Sequence, residues 1–455
     1  MKKIIYICQC LLMSILFINC SDFLEVEAPK DQIDRKKVFN DDALATAAVT
    51  NIYTLLRDNG LLSGGTNGIG FLMACYTDEL EVTDPQTVAY KNFYYNTVNS
   101  NNTAVNELWK QSYKQLYSVN DALEGISEST ALSDAVSNQL KGELLTLRGI
   151  LHFYLSQTFG EIPYVTNTNY NLNKSIGKIH PHEVLQLSIE DLVEAETLLT
   201  TNYPSAERVR INQSVTQAFL ARMFLYQKNW PLAMLYAQKV IEQPIYELES
   251  LDALFFKDSK SAIWQFKPIQ EGVNAKEGET YIFESLPAPY VRLSQHFIQR
   301  FDSIDLRKDL WIKKIGDSNE NYCAYKYKNR GSTASSEEYS IVVRLEEMYL
   351  IAAEAAAEMS QWEECNYYIN QIRVRAGLSP ITATNRHTAI SYILNERNLE
   401  LFCEHGHRFF DLKRRDQLDQ LLSVKPNWKA HYELLPLPEN ELLLNPKLLP
   451  QNNGY

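Results

Sequence analysis

Two stretches decide the fold of this chain: residues 221–240, ARMFLYQKNWPLAMLYAQKV, and residues 353–372, AEAAAEMSQWEECNYYINQI. They echo one another at an offset of 132 residues. Ala221, Asn229-Trp230, Tyr236 and Val240 in the first take the relative places of Ala353, Gln361-Trp362, Tyr368 and Ile372 in the second. Each stretch reads as two helices joined by a short turn (Lys228–Pro231 in the first), because apolar residues recur every three to four positions on both sides of it. Small Ala on the leading helix admits the next helix at close range, and the aromatic and aliphatic residues of the latter fill the groove. This is the packing logic of a tetratricopeptide hairpin, without the Gly of its usual pattern.

Two further hairpins can be drawn, 139–159 with 182–199 and 387–404 with 408–422, so that the expected set covers about 139–199, 211–243, 342–376 and 385–422. A unit of this kind cannot bury its apolar face alone and must stack on its neighbours. The predicted fold class is therefore mostly α: four tetratricopeptide-like hairpins forming an α-α superhelix. Gly supplies only 17 of 455 residues, roughly 4% against about 7% in an ordinary protein, which leaves few sites for tight β-turns. Further amphipathic runs precede the hairpins, at Asp41–Arg57 and Thr103–Gly125. Two segments break the pattern. Residues 248–340 alternate short apolar runs with loops rich in Pro, Gly, Ser and Asn, and residues 60–102 contain the Gly-rich piece Ser63–Gly70. Both are expected to be irregular excursions with a few short strands.

The beginning of the chain reads as an address. Met1-Lys2-Lys3 precedes the apolar stretch Ile4–Ile18, which is shorter than the roughly twenty residues of a membrane-spanning helix and fits a secretory signal. It runs directly into Cys20-Ser21-Asp22, similar to a bacterial lipoprotein signal in which the Cys becomes the lipidated first residue; Asn19 departs from the usual small residue there. The expected signal peptide is 1–19 and the lipidation site Cys20. Cys75, Cys323, Cys365 and Cys403 remain, with no C-x-x-C pair, and are expected to be buried free thiols.

Few classes of chemistry survive inspection. A net charge of −12 with no long Lys/Arg run argues against nucleic-acid binding, which needs an excess of cations against phosphate. The run Gly64–Gly70 lacks the Gly-Lys-Ser/Thr ending of a phosphate loop. His405 and His407, two positions apart, would point in different directions on a helix, and no third metal ligand presents itself. Asp78, Glu79 and Glu81 could supply one carboxylate of a glycosidase pair, but the pair needs a partner across a cleft and none can be named. No catalytic residue, metal site or cofactor is assigned. The aromatic clusters lead elsewhere. Tyr90, Phe93, Tyr94 and Tyr95 crowd a segment interleaved with Lys91, Asn92 and Asn96, while Tyr281, Phe283 and Tyr290 lie beside Pro287 and Pro289 in the second excursion. Sugar rings have an apolar C–H face and a rim of hydroxyls, so flat rings with amide and cationic neighbours suit them. These seven aromatics are the candidate ligand-binding residues.

A series of blocks makes the chain resemble the SusD/RagB family of outer-membrane nutrient-uptake lipoproteins of Bacteroidetes. They begin with Cys20-Ser21-Asp22-Phe23-Leu24-Glu25 and Phe159-Gly160-Glu161-Ile162-Pro163, and continue through Arg344-Leu345-Glu346-Glu347-Met348-Tyr349-Leu350 and Asn370-Gln371-Ile372-Arg373. Glu396-Arg397-Asn398-Leu399-Glu400, Gly406-His407-Arg408-Phe409-Phe410-Asp411 and the closing Leu435-Pro436-Leu437-Pro438 follow in the family's order. The resemblance implies one SusD-like domain over 20–455, without enzymatic activity, lipid-anchored in the outer membrane and facing the exterior. It also implies that the protein captures oligosaccharides and delivers them to a SusC-like TonB-dependent transporter. Peptide cargo in the same transporter-lid role, or a tetratricopeptide-type scaffold without a small ligand, are the alternatives. The matched blocks locate helices and turns and carry no ligand contacts over; Arg408 and Asp411 are expected to belong to an intramolecular network.

Overall fold

A computed structural model of the protein describes residues 35–83, 86–318 and 320–455; the expected signal peptide and Cys20 lie outside these residues. The helices of seven residues or more are α1 (Asp42–Asp58), α2 (Ile69–Tyr76), α3 (Val88–Tyr94), α4 (Thr103–Glu128), α5 (Asp134–Phe159) and α6 (Pro181–Leu198). They continue with α7 (Gln213–Tyr226), α8 (Trp230–Ile241), α9 (Leu345–Glu358), α10 (Trp362–Arg375), α11 (Arg386–Leu401) and α12 (His407–Arg414). The pairs α5/α6, α7/α8, α9/α10 and α11/α12 form four hairpins, and each stacks on the next through α6 with α7, α8 with α9, and α9 with α11.

Local chemistry explains the breaks. Asn212 caps α7 by accepting from Val215 N at 3.0 Å, and Asn229 caps α8 by accepting from Leu232 N at 3.4 Å, with Pro231 in the first turn, where its missing N–H costs nothing. The offset of the sequence echo extends to the backbone: Lys228 (φ 60°) and Ser360 (φ 59°), in the turns of the second and third hairpins, both take the left-handed conformation that Gly adopts most readily. The central helix α9 is buried on nearly every side. Ala352, Ala353, Ala355, Ala356 and Ala357 are fully buried, and their small size lets the flanking helices close on it from opposite faces.

Between the second and third hairpins the chain forms β2 (Ala262–Phe266), β3 (Val291–Leu293), β4 (Ile312–Lys314) and β5 (Tyr322–Ala324), and returns through β6 (Ser340–Arg344). β2 pairs antiparallel with β6, β4 with β5, and β3 with β1 (Leu80–Val82) from the first excursion. Trp264 on β2 and Trp311 are fully buried, as their regular apolar settings imply. Cys75, Cys323, Cys365 and Cys403 are buried and unbridged.

Where β6 runs into α9 the interior is ionic. Arg344 bridges Glu346, Glu400 and Glu404; Arg375 bridges Glu346 and Glu400; Arg307 bridges Asp305, Glu396 and Glu400. Arg373 joins at Glu396 and Lys326 at Glu404. Five cations thus meet five carboxylates in a largely buried network, with Arg373, Arg375 and Glu404 at its partly exposed edge. Such charges are tolerable inside a protein only when each is paired and hydrogen-bonded, so the network fixes how the last two hairpins seat against the strands.

Candidate functional site

The two expected excursions meet at the β1–β3 ladder. Glu81 stands opposite Arg292 in its register, and the Arg292 Nε donates to Glu81 Oε2 at 2.9 Å while its Nη1 donates to Asn321 Oδ1 at 3.2 Å. Val291 and Leu293 point inward, so Arg292 points out. Tyr290 continues the ladder, its carbonyl accepting from Thr83 N at 2.9 Å. Two residues from Arg292, it falls on the same outward face and is 39% exposed.

Tyr94 and Tyr95 arrive from the end of α3. Their rings meet edge to face at 4.9 Å, and Tyr95 is 53% exposed. The helix stops there because Asn96 turns left-handed (φ 53°), a conformation Asn accepts more readily than most residues, and its buried amide donates to Tyr76 O at 3.1 Å. Lys425 supports the pair from behind. Its Nζ donates to the carbonyls of Cys75 and Tyr94, each at 2.9 Å, and lies 3.9 Å from the centre of the Tyr94 ring; burial pushes this ammonium down to about 8. Asn427 Nδ2 donates to Tyr95 O at 3.1 Å. Burial, and next the Glu81 carboxylate, raise the Tyr94 phenol. α3 packs on β1, which brings Tyr94 near the outward-facing Glu81–Arg292 pair.

Four of the expected aromatics do not present a free face there. Phe93 is fully buried with its ring 5.7 Å from Tyr76, because residues 88–94 form a helix and not a loop, and its apolar face turns inward with Ala89 and Tyr90. Tyr90 is half-buried against Phe71 at 5.1 Å and donates to Thr66 Oγ1 at 2.7 Å. Tyr281 is buried, its hydroxyl donating to Cys403 O at 3.2 Å. Phe283 fills a small cluster with Ala288, Ile315 and Cys323. These rings hold the excursions onto the body. Ile69–Tyr76, whose first two residues read as loop, is likewise a helix, every residue of it buried.

The carboxylates nearby are structural. Arg408 grips Asp78 through two bonds of 2.9 and 2.7 Å, and both Asp78 and Glu79 are buried. Burial and the adjacent Asp78 push Glu79 up to about 8. Neither faces an opposing carboxylate across an open cleft, and Glu81 is bound to Arg292. Among the described residues no group of three or more His, Cys, Asp or Glu could hold a metal ion.

A second aromatic surface escaped the sequence reading. Trp109, Tyr113 and Tyr117 recur at four-residue spacing along α4 and so share one face. With Tyr170, Asn173 and Leu444 they line a groove of about 420 Å³. Tyr117 and Tyr170 are 56% and 74% exposed, and Lys174 lies over the Tyr170 ring at 5.5 Å. The signal is that spacing; Trp109 is buried and lines the groove from within.

Comparison with known proteins joins these observations. Residues 307–455 match a profile described as SusD family, and residues 22–225 one described as starch-binding associating with outer membrane. A SusD-like protein of Formosa agariphila is 23% identical, the alignment covering 96% of this chain and 97% of that protein. A SusD superfamily protein of Bacteroides vulgatus superposes with a TM-score of 0.80 at 21% identity, over 91% of this chain and 99% of its own. Surface glycan-binding protein A of Bacteroides thetaiotaomicron, in complex with laminarihexaose, superposes with a TM-score of 0.77 at 18% identity, over 90% and 99%. The structural likenesses speak for the mostly helical fold with few short strands.

Proposed function

The chain belongs to the SusD family, a family of non-enzymatic binding proteins, and we propose that it is a surface glycan receptor whose ligand lies across Tyr94, Tyr95 and Tyr290. The exposed rings beside the Glu81–Arg292 pair carry this reading. The rings offer stacking faces, and the charged pair with Asn321 and Asn427 offers donors and acceptors for hydroxyl groups. Stacking contributes about 0.5–1.5 kcal/mol per ring; several rings and a few hydrogen bonds reach about −4 to −8 kcal/mol, millimolar to micromolar affinity. A receptor that must release its cargo works in that range. In this reading Cys20 carries the lipid that holds the protein at the outer membrane, and a SusC-like TonB-dependent transporter receives the oligosaccharide. A laminarin-binding SusD-like protein of this fold, and the surface glycan-binding protein in complex with laminarihexaose, support glycan over peptide cargo.

The test is a glycan array on the lipid-free chain that begins after Cys20, followed by calorimetry on each hit. Tyr95→Ala and Tyr290→Ala should each weaken binding about two- to twelvefold with the melting temperature unchanged. If both bind a confirmed glycan as tightly as the parent, the platform assignment is wrong. The α4 groove is the second reading, favoured by its concavity and its two exposed tyrosines. Loss of binding in Tyr117→Ala or Tyr170→Ala, with the platform variants intact, would move the site there.

A further inference from the structure

A cleft of about 660 Å³ opens between the α7–α8 turn, α11 and the segment after α12. Its walls carry Lys228, Arg300, Arg386, Arg408, Arg414 and Arg415, and Asp416 is the one carboxylate among its lining residues. Four acids stand behind these cations. Asp78 is shared by Arg300 and Arg408, Glu354 by Arg414 and Arg415, and Glu358 by Arg386 and Arg415. Asp411 is shared by Arg414 and Arg397. Lining residues and their partners together set six cations against five carboxylates. The surplus is positive in a chain whose net charge is −12, and a concave wall of one sign concentrates ions of the other.

The surplus has an address. Arg408 already holds both oxygens of Asp78, at 2.9 and 2.7 Å, so Arg300 reaches that carboxylate only at 3.4 Å and leans on Asn395 Oδ1 at 3.2 Å. Burial and the neighbouring Arg408 lower the Arg300 guanidinium, as expected of a cation short of counter-charge. Arg386, its side chain 61% exposed, and the exposed Lys228 stand at the same cleft. The lining also includes the rings of Trp230 and Tyr392, the latter 41% exposed, and the polar Ser391 and Gln420. Guanidinium forks fit carboxylate and sulfate oxygens in pairs, and the rings fit the apolar face of a pyranose.

We propose that this cleft is a second binding site, for acidic saccharides whose carboxylate or sulfate groups are taken by Arg300, Arg386 and Lys228. The saccharide as carrier rests on the reading of the chain as a glycan receptor; the anion specificity rests on the cleft alone.

Calorimetry on the full chain tests it with three probes: trigalacturonate, its fully methyl-esterified form, and a sulfated galactose disaccharide. At least one acidic probe should bind, trigalacturonate about tenfold or more tighter than its ester, and the affinity should fall several-fold as salt rises from about 0.05 to 0.5 M. Ser391→Glu sets a carboxylate at the mouth without removing any ion pair, and with Arg386→Gln it should weaken acidic binding about fivefold or more. Tyr95→Ala should leave acidic binding unchanged. The proposal falls if neither acidic probe binds, if acid and ester bind alike, or if Ser391→Glu has no effect. Neutral glycans still captured at the tyrosine platform would then leave the receptor reading standing by itself.

Discussion

Glu400→Gln probes the ionic interior that seats the last two hairpins. Glu400 Oε1 accepts from Arg344 at 2.7 Å and Arg375 at 2.5 Å, and Oε2 accepts from Arg307 at 3.0 Å. The substitution keeps the shape of the side chain and removes its charge, so five cations face four carboxylates. The new amide N–H₂ also points a donor at guanidinium donors. Leaving a buried charge uncompensated costs about 3–5 kcal/mol, a large part of the 5–15 kcal/mol that holds a typical protein folded. An unfolding entropy of about 2.1 cal/mol/K per residue over 455 residues gives about 1 kcal/mol/K, so the melting temperature should fall by about 3–5 °C in calorimetry.

The same variant fixes the sign of a pH effect. Burial alone would raise the Glu400 carboxyl, but Arg375, Arg344 and Arg307 hold it below the usual carboxylate range. Its stabilisation is therefore complete above the ordinary carboxylate pKa and is lost as acid protonates the folded form. The gap between parent and variant should be widest near neutrality and narrow below about pH 4.5. Glu400→Gln combined with Arg375→Gln restores the charge balance and should recover part of the loss. A shift under 1 °C for the single variant, or a gap that widens in acid, would refute the account of this network as a closed set of compensated charges.

Three further outcomes are expected. Phe93→Ala and Tyr281→Ala, which empty buried ring sites, should each cost about 3–5 kcal/mol in denaturant unfolding, whereas Tyr95→Ala should cost under about 0.5 kcal/mol. Lys425→Met leaves the Cys75 and Tyr94 carbonyls without their donor, which should destabilise by about 1–3 kcal/mol and weaken glycan binding through a looser Tyr94–Tyr95 pair. The parent should also gain stability relative to this variant from about pH 8 to 10.5, where the unfolded chain retains the Lys425 proton that the folded chain releases. Ser360→Gly removes a left-handed strain of about 1–2 kcal/mol and adds about 0.4–1 kcal/mol of unfolded-chain entropy. A net rise in stability of up to about 1.6 kcal/mol should appear as a higher denaturant midpoint.

What could be read from the sequence follows the range of the interactions involved. The hairpins were legible because each is a local object. The spacing from Ala221 to Val240 and from Ala353 to Ile372 states its period within twenty residues, and the caps and turns lie in the same windows. Of the aromatics named as ligand candidates, Tyr95 and Tyr290 are exposed and Phe93, Tyr281 and Phe283 are buried, although all five sit in similar company of Pro, Asn and Tyr. What separates them is tertiary: Phe93 is buried only because α3 lies on α2, and Phe283 only because β4 and β5 close beside it. No window along the chain contains those partners. The basic cleft is the extreme case, since residue 228, residue 300 and residues 386–420 approach each other only once the second, third and fourth hairpins have stacked. Of its arginines the sequence singles out only Arg408, and that for an intramolecular network. Their surplus over carboxylate exists only in the folded molecule, which is why a chain carrying a net charge of −12 could give no hint of an anion site, and why the salt dependence of acidic-saccharide binding is the measurement that separates a charge-built cleft from a sugar groove that happens to be lined with arginine.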